Sequence, residues 1–169
     1  MTTFDLRSLR IRSGEEHREA KEIELPTLEL GGQRYLPVPD KVGAELIVTR
    51  ASTGTLFELR FETRLHGPCV RCLTDAALDI PIRAREYQAT NPGDAEELRT
   101  PYLNDDVLDL SAWARDALVL ALPDQILCRA ECAGLCPVCG RDLNVEPHQH
   151  EEAEVDSRWA ALEALRDKL

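Results

Sequence analysis

All six cysteines of this chain fall in three close pairs, Cys69-x2-Cys72, Cys128-x3-Cys132 and Cys136-x2-Cys139, and two histidines, His148 and His150, follow the last pair. Two thiolates separated by two residues in a tight turn, with backbone amides aimed at the sulfurs, make one half of a tetrahedral zinc site. Gly140, directly after Cys139, lets the second of these turns reverse. The chain has 169 residues, 43% of them hydrophobic, which suffices for one compact domain, and a single zinc-stapled domain is the expectation.

Three rival uses of the cysteines compete with zinc. Disulfides need an oxidising compartment, but the opening MTTFDLRSLRIRSGEE carries arginines and no apolar leader core, and a cytoplasmic chain keeps its thiols reduced. A thioredoxin-like centre needs one active pair at a helix start in a βαβ setting, which neither CVRC nor CPVCG has. Iron–sulfur ligation by four thiolates stays open as a minor alternative to structural Zn2+.

Eight candidate ligands make two complete tetrahedral sites. The preferred partition closes Cys69 and Cys72 with Cys128 and Cys132, leaving Cys136, Cys139, His148 and His150 as a local second site. A second partition makes a local four-thiolate site from Cys128, Cys132, Cys136 and Cys139 and closes Cys69 and Cys72 with the two histidines; a third pairs the two CxxC knuckles as a zinc ribbon. Closed four-ligand sites leave no position for a catalytic water. The chain also lacks GxSxG, HExxH, P-loop and dinucleotide-binding signatures. The expectation is therefore a protein that is not an enzyme.

Charge narrows the partners. Twenty Lys and Arg against 31 Asp and Glu leave a net charge of −11, so a general basic footprint for nucleic acid is missing. Residues 1–90 are nearly balanced, with 13 basic and 14 acidic side chains, while residues 91–169 hold 7 and 17. The longest uncharged apolar stretch, Ala117 to Pro123, is far short of a membrane span, and the protein is expected to be cytoplasmic.

The periodicity predicts an α+β fold: a small antiparallel β-sheet with a zinc-knuckle hairpin, a covering helix and a zinc-stapled C-terminal tail. Residues 1–43 read as short strands and loops. Over 44–90, Phe57, Leu59, Phe61, Thr63 and Leu65 alternate with Glu58, Arg60, Glu62 and Arg64, and Leu78, Ile80, Ile82 and Ala84 alternate with Asp79, Pro81, Arg83 and Arg85, so two strands flank the CVRC loop. Pro81 cannot donate to a ladder and marks an edge or a bulge. Residues 91–108 read as an acidic, mobile surface connection. Leu110, Trp113, Ala114, Ala117, Leu118, Ala121 and Leu122 predict a helix over 109–123, capped by Asp109 or Ser111 and closed by Pro123. The Cys/His segment spans 128–150, and a last helix is predicted over 156–169 on Trp159, Leu162, Leu165 and Leu169.

The order of CVRCL, LDLSAWARDALVLALP, CRAECAGLCPVCGRDLN and VDSRWAALEAL resembles the YceD family, the large ribosomal RNA subunit accumulation proteins of bacteria and plastids. The likeness runs from about Gly54 to the C-terminus, and GLCPVCGRDLN at Gly134 to Asn144 makes it specific. It implies a non-enzymatic cytoplasmic factor whose partner is a large ribosomal subunit precursor, met through ribosomal RNA or a basic ribosomal protein. The acidity leans toward the protein; Arg64, Arg71 and Arg83, with Arg60 and Arg85, are the candidates for direct RNA contact. A zinc-ribbon transcription module or redox-sensing zinc regulator is the alternative. Two departures stand out: His148-Gln149-His150 replaces the CxC of many relatives, which weakens the second site, and Ser157 stands where relatives often carry proline.

Overall fold

The computed structural model describes residues 1–93 and 95–150. These fall into two compact units, Met1–Cys132 and a second that begins at Ala133. The first is mostly antiparallel sheet with one helix, an α+β unit.

Its elements run β1 (Thr3–Asp5), β2 (Glu16–Glu24), β3 (Leu28–Leu30), β4 (Gln33–Val38), β5 (Lys41–Arg50), β6 (Gly54–Pro68), β7 (Asp75–Ala89), β8 (Leu103–Asn104), β9 (Val107–Asp109) and α1 (Leu110–Leu120). The alternation expected along 57–65 sits in the central strand, β6. One edge of β6 pairs with β7 over its whole length, from Gly54↔Ala89 to Pro68↔Asp75. The other edge is shared end to end by β5, from Thr55 to Arg60, and β4, from Arg64 to His66. β2 extends the sheet beyond β5, and β3 beyond β4. Phe57, Leu59, Phe61, Thr63 and Leu65 are all buried, so one face of this ladder is core and the other carries Glu58, Arg60, Glu62 and Arg64. Pro81 marks an edge rather than a bulge: among the described residues β7 pairs with β6 alone, and their register never slips.

Helix α1 packs against β7, β2 and β1 and buries Leu110, Trp113, Ala114, Ala117 and Leu118. The Asp109 carboxylate accepts from the Ala112 amide and is the cap. The helix stops at Leu120, three residues before Pro123, and Ala121 is exposed, so the apolar stripe is one turn shorter than its sequence pattern. Residues 91–108 differ more from expectation. They contain a short 3-10 turn and the β8–β9 hairpin, and β9 pairs with β1 from Thr3↔Asp109 to Asp5↔Val107. Their polarity hid this because a three-residue strand needs few apolar side chains; Leu108, fully buried, supplies most of the anchor. No helix among the described residues is long and apolar enough to cross a membrane. The helix expected over 156–169, with Trp159, lies outside the described residues.

Candidate metal centre

The two CxxC turns are built alike although one lies in each unit. In the first, the Cys69 amide donates to the Thr74 carbonyl (2.7 Å) and the Leu73 amide to the Cys69 carbonyl (2.9 Å); in the second, Cys136 donates to Arg141 (2.7 Å) and Gly140 to Cys136 (2.8 Å). Each turn is closed by a pair of backbone partners at the same offsets, Pro68↔Asp75 and Leu135↔Asp142. The residue after the second cysteine is left-handed in both, with φ +63° at Leu73 and +73° at Gly140. Glycine takes that conformation freely, whereas leucine is strained in it.

The structure gathers the eight candidate ligands into two groups of four, Cys69, Cys72, Cys128 and Cys132, and Cys136, Cys139, His148 and His150, with the ligating atoms of each group within 4.8 Å of one another. This is the grouping of the preferred partition; the two others would need ligands drawn from both groups. In the first group, Cys69 Sγ lies 3.7 Å from Cys132 Sγ and Cys72 Sγ lies 3.6 Å from Cys128 Sγ. Four sulfurs about 2.3 Å from one central ion stand about 3.8 Å apart, so these spacings suit a single tetrahedral cation. They exceed an S–S bond of about 2.05 Å, so neither pair of sulfurs is joined as a disulfide. A multi-iron cluster holds its cysteines on separate irons and spreads the sulfurs farther.

The first group is nearly dry, with Cys69, Cys72 and Cys132 buried. Burial pushes the Cys69 thiol up, but amides of Cys128, Cys72 and Arg71 donating to its sulfur outweigh that and bring it down to about 6. Thr74 lowers Cys72 through its hydroxyl, 3.0 Å from Sγ, and its amide. Burial, together with the Cys72 sulfur, raises Cys128 to about 11. Four thiols packed this closely cannot all ionise without mutual repulsion, and a dication among them removes it.

Two residues that composition left unremarked hold this loop in place. The Val70 amide donates to the carbonyl of buried Ile126 (3.0 Å), and Tyr35, also buried, donates its hydroxyl to the Pro68 carbonyl (3.0 Å). Arg71, a candidate for RNA contact, is exposed but engaged within the protein. Its Nη1 donates to the Cys132 carbonyl (3.0 Å) and its Nε to Gln125 Oε1 (3.1 Å), bracing the CVRC turn against the segment that carries Cys128 and Cys132. Arg64 is likewise committed, gripping both Asp79 carboxylate oxygens at 2.6 and 2.7 Å. Arg83 donates through Nε to Glu58. His66 is exposed and outside both groups.

The second group is wetter: Cys136 is buried, His148 half-buried, and Cys139 and His150 exposed. The Cys139 amide, opposed by burial and joined by the Val138 amide, brings the Cys136 thiol to about 6. His148 Nδ1 lies 2.8 Å from the Glu146 carbonyl, which makes Nδ1 the donor and turns Nε2 toward Cys139 Sγ at 3.1 Å. A metal-ligating histidine is oriented in this way by its outer hydrogen bond. The same carbonyl, then the Cys136 sulfur, raises the His148 pKa. The GRDLN stretch braces the loop: Asp142 accepts from the Asn144 amide and side chain, while Asn144 Oδ1 accepts from the Ala133 amide. The donor sets, four thiolates and two thiolates with two imidazoles, both suit a tetrahedral d10 cation.

No solved structure matches the chain significantly. An uncharacterised protein of Mycobacterium tuberculosis, Rv2926c, is 32% identical over 142 residues, covering 73% of this chain and 68% of its own length. An uncharacterised protein of Mycobacterium leprae is 31% identical over 149 residues, 77% and 67% of the respective chains. The uncharacterised protein YlbN of Bacillus subtilis is 27% identical over 166 residues, 97% of this chain and 94% of its own. Residues 57–166, which span most of the β6–β7 hairpin, α1 and all eight candidate ligands, match the family model described as large ribosomal RNA subunit accumulation protein YceD, and the chain therefore belongs to the YceD family.

Proposed function

We propose that this protein is a non-enzymatic, zinc-stapled factor for accumulation of large-subunit ribosomal RNA, binding a precursor of the large ribosomal subunit. Family membership carries the reading. The closed donor sets support a structural role for the metal, because four protein ligands around one ion leave no position for substrate or water. Zn2+ held by Cys69, Cys72, Cys128 and Cys132 supplies a cross-link between the β6–β7 hairpin and the segment after α1, which has little apolar surface of its own. Cys136, Cys139, His148 and His150 do the same for the second unit. The protein residues set the rest: Arg71, Ile126 and Thr74 orient the first ligands, and Glu146 fixes the imidazole of His148.

The test is affinity capture of the zinc-loaded chain from lysate at low salt, with and without ribonuclease, beside a control acidic protein. Large-subunit precursors retained without ribonuclease are the expected result, and any protein that survives ribonuclease is the direct protein partner. Recovery of neither ribosomal RNA nor ribosomal proteins above control sinks the reading. The exposed Cys139 favours a second reading, an oxidant-responsive zinc regulator, which requires peroxide to release zinc reversibly from the second centre and no ribosomal partner.

A further inference from the structure

Glu58 projects from the polar face of β6, yet its side chain is only 9% exposed because three guanidiniums cover it. Oε1 accepts from Nε of Arg60 and of Arg83, the latter at 2.7 Å, and Oε2 accepts from Nε of Arg85 at 2.8 Å. Strand register produces the cluster: Arg85 lies directly across from Glu58 and Arg83 directly across from Arg60, all on one face. The bonding atom decides what is left over. A guanidinium has five N–H donors, one on Nε and four on its Nη ends, and the Nη ends of Arg83 and Arg85 donate no hydrogen bond among the described residues. Both side chains stay more than half exposed, at 57% and 56%. Arg64 differs, because Asp79 occupies its fork, and Arg71 is turned inward, with Nε on Gln125 and Nη1 on the Cys132 carbonyl.

The local charge is also unlike that of the whole chain. Arg60 reaches Glu45, which Arg18 shares with Glu16, so the linked network holds four guanidiniums against three carboxylates. Its positive end lies at β7. Glu62 borders that end across from Pro81, and Asp79, farther along, is already paired with Arg64. Charges beyond about 8 Å are largely screened at physiological salt, so a net charge of −11 does not cancel a built patch.

We propose that Arg83 and Arg85, with Arg60, are held by Glu58 as a surface that contacts the phosphodiester backbone of RNA. The proposal rests on the ribosomal reading above and names its point of contact. Planar forks with free Nη edges match phosphate oxygens in pairs, and a strand face presents them side by side on a flat surface, as a polynucleotide backbone requires.

The test uses the full-length, zinc-loaded chain and a transcribed domain of large-subunit ribosomal RNA, with binding measured across salt concentrations. R83Q/R85Q is expected to lose at least about tenfold in affinity, and the slope of log K against log salt is expected to fall by about two. R83K/R85K keeps the charges but loses the forks, so its slope is expected to hold while affinity falls severalfold; it also separates contact from folding, since both charges toward Glu58 are kept. Unchanged affinity and slope in R83Q/R85Q overturns the proposal, as does binding of a poly-glutamate peptide at these arginines with no response to RNA. Complementation of a deletion strain separates this from failure of the wider reading. If the unaltered chain restores ribosomal RNA and R83Q/R85Q restores it equally, only the RNA surface is wrong; if the unaltered chain restores nothing, the ribosomal role itself fails.

Discussion

Leu73 is held at φ +63° by the first CxxC turn, in the position that Gly140 fills in the second, and its side chain is 57% exposed. A left-handed leucine costs about 1–2 kcal/mol, while asparagine tolerates the conformation. Leu73→Asn is therefore expected to raise stability by about 1 kcal/mol in chemical unfolding, with zinc content unchanged. Glu58 makes the opposite kind of contribution. Hydrogen bonds from Arg83, then those from Arg60 and Arg85 against a burial cost, lower its pKa from 4.5 to about 2. A carboxylate depressed in the folded state stabilises the fold above its unfolded pKa and loses that contribution as pH falls through the folded value. Stability should hence decline between pH 4.5 and about 2, and Glu58→Gln should remove that part of the slope in an acid titration followed by circular dichroism.

Among the elements, β6 carries the largest share of the fold and shows two sites where a single atom decides the energetics. A Cβ at Gly67 would stand 2.2 Å from Cδ1 of Tyr35, a fully buried ring whose hydroxyl holds the Pro68 carbonyl beside Cys69. Gly67→Ala is expected to cost about 1–3 kcal/mol, read by thermal unfolding, and to lower zinc retention at the first centre because the knuckle starts at the next turn of chain. Thr63, on the core face across from Ile80, keeps a buried hydroxyl without a hydrogen-bond partner among the described residues. Thr63→Val replaces it with a methyl of like shape and is expected to add about 1 kcal/mol. The alternation of β6 and β7 is readable because each residue's face follows from a period of two. The β8–β9 hairpin is not, since its pairing with β1 joins residues about a hundred positions apart and rests on Leu108 and Phe4 rather than on any run of apolar residues.

Across the whole molecule, the two centres divide a buried staple from an exposed one. Metal analysis of the purified chain is expected to find about two zinc ions, and a chelator titration should empty the thiolate–imidazole centre before the four-thiolate one, because neutral histidine competes with protons and Cys139 meets solvent. Cys139→Ser is expected to remove one zinc and leave the β-sheet unit folded by circular dichroism. Cys132→Ser should instead unfold much of that unit, since the binding free energy of a structural ion is folding free energy.

What depends on near neighbours was legible along the chain: the two CxxC turns, the reversal at Gly140, the half-buried strands, and the start and buried stripe of α1. Spacing along the chain is enough there, because hydrogen bonds in a turn and side-chain direction in a strand reach only a few residues. Which cysteines share a centre remained open among three partitions, and so did the state of each arginine, because Cys72 and Cys128 are 56 residues apart and Arg83 meets Glu58 across 25. Only tertiary packing, through strand register and the path of the chain after α1, brings such groups within bonding distance. That packing engaged Arg64 with Asp79 and Arg71 with Gln125 and the Cys132 carbonyl, and left the Nη ends of Arg83 and Arg85 without a hydrogen bond among the described residues.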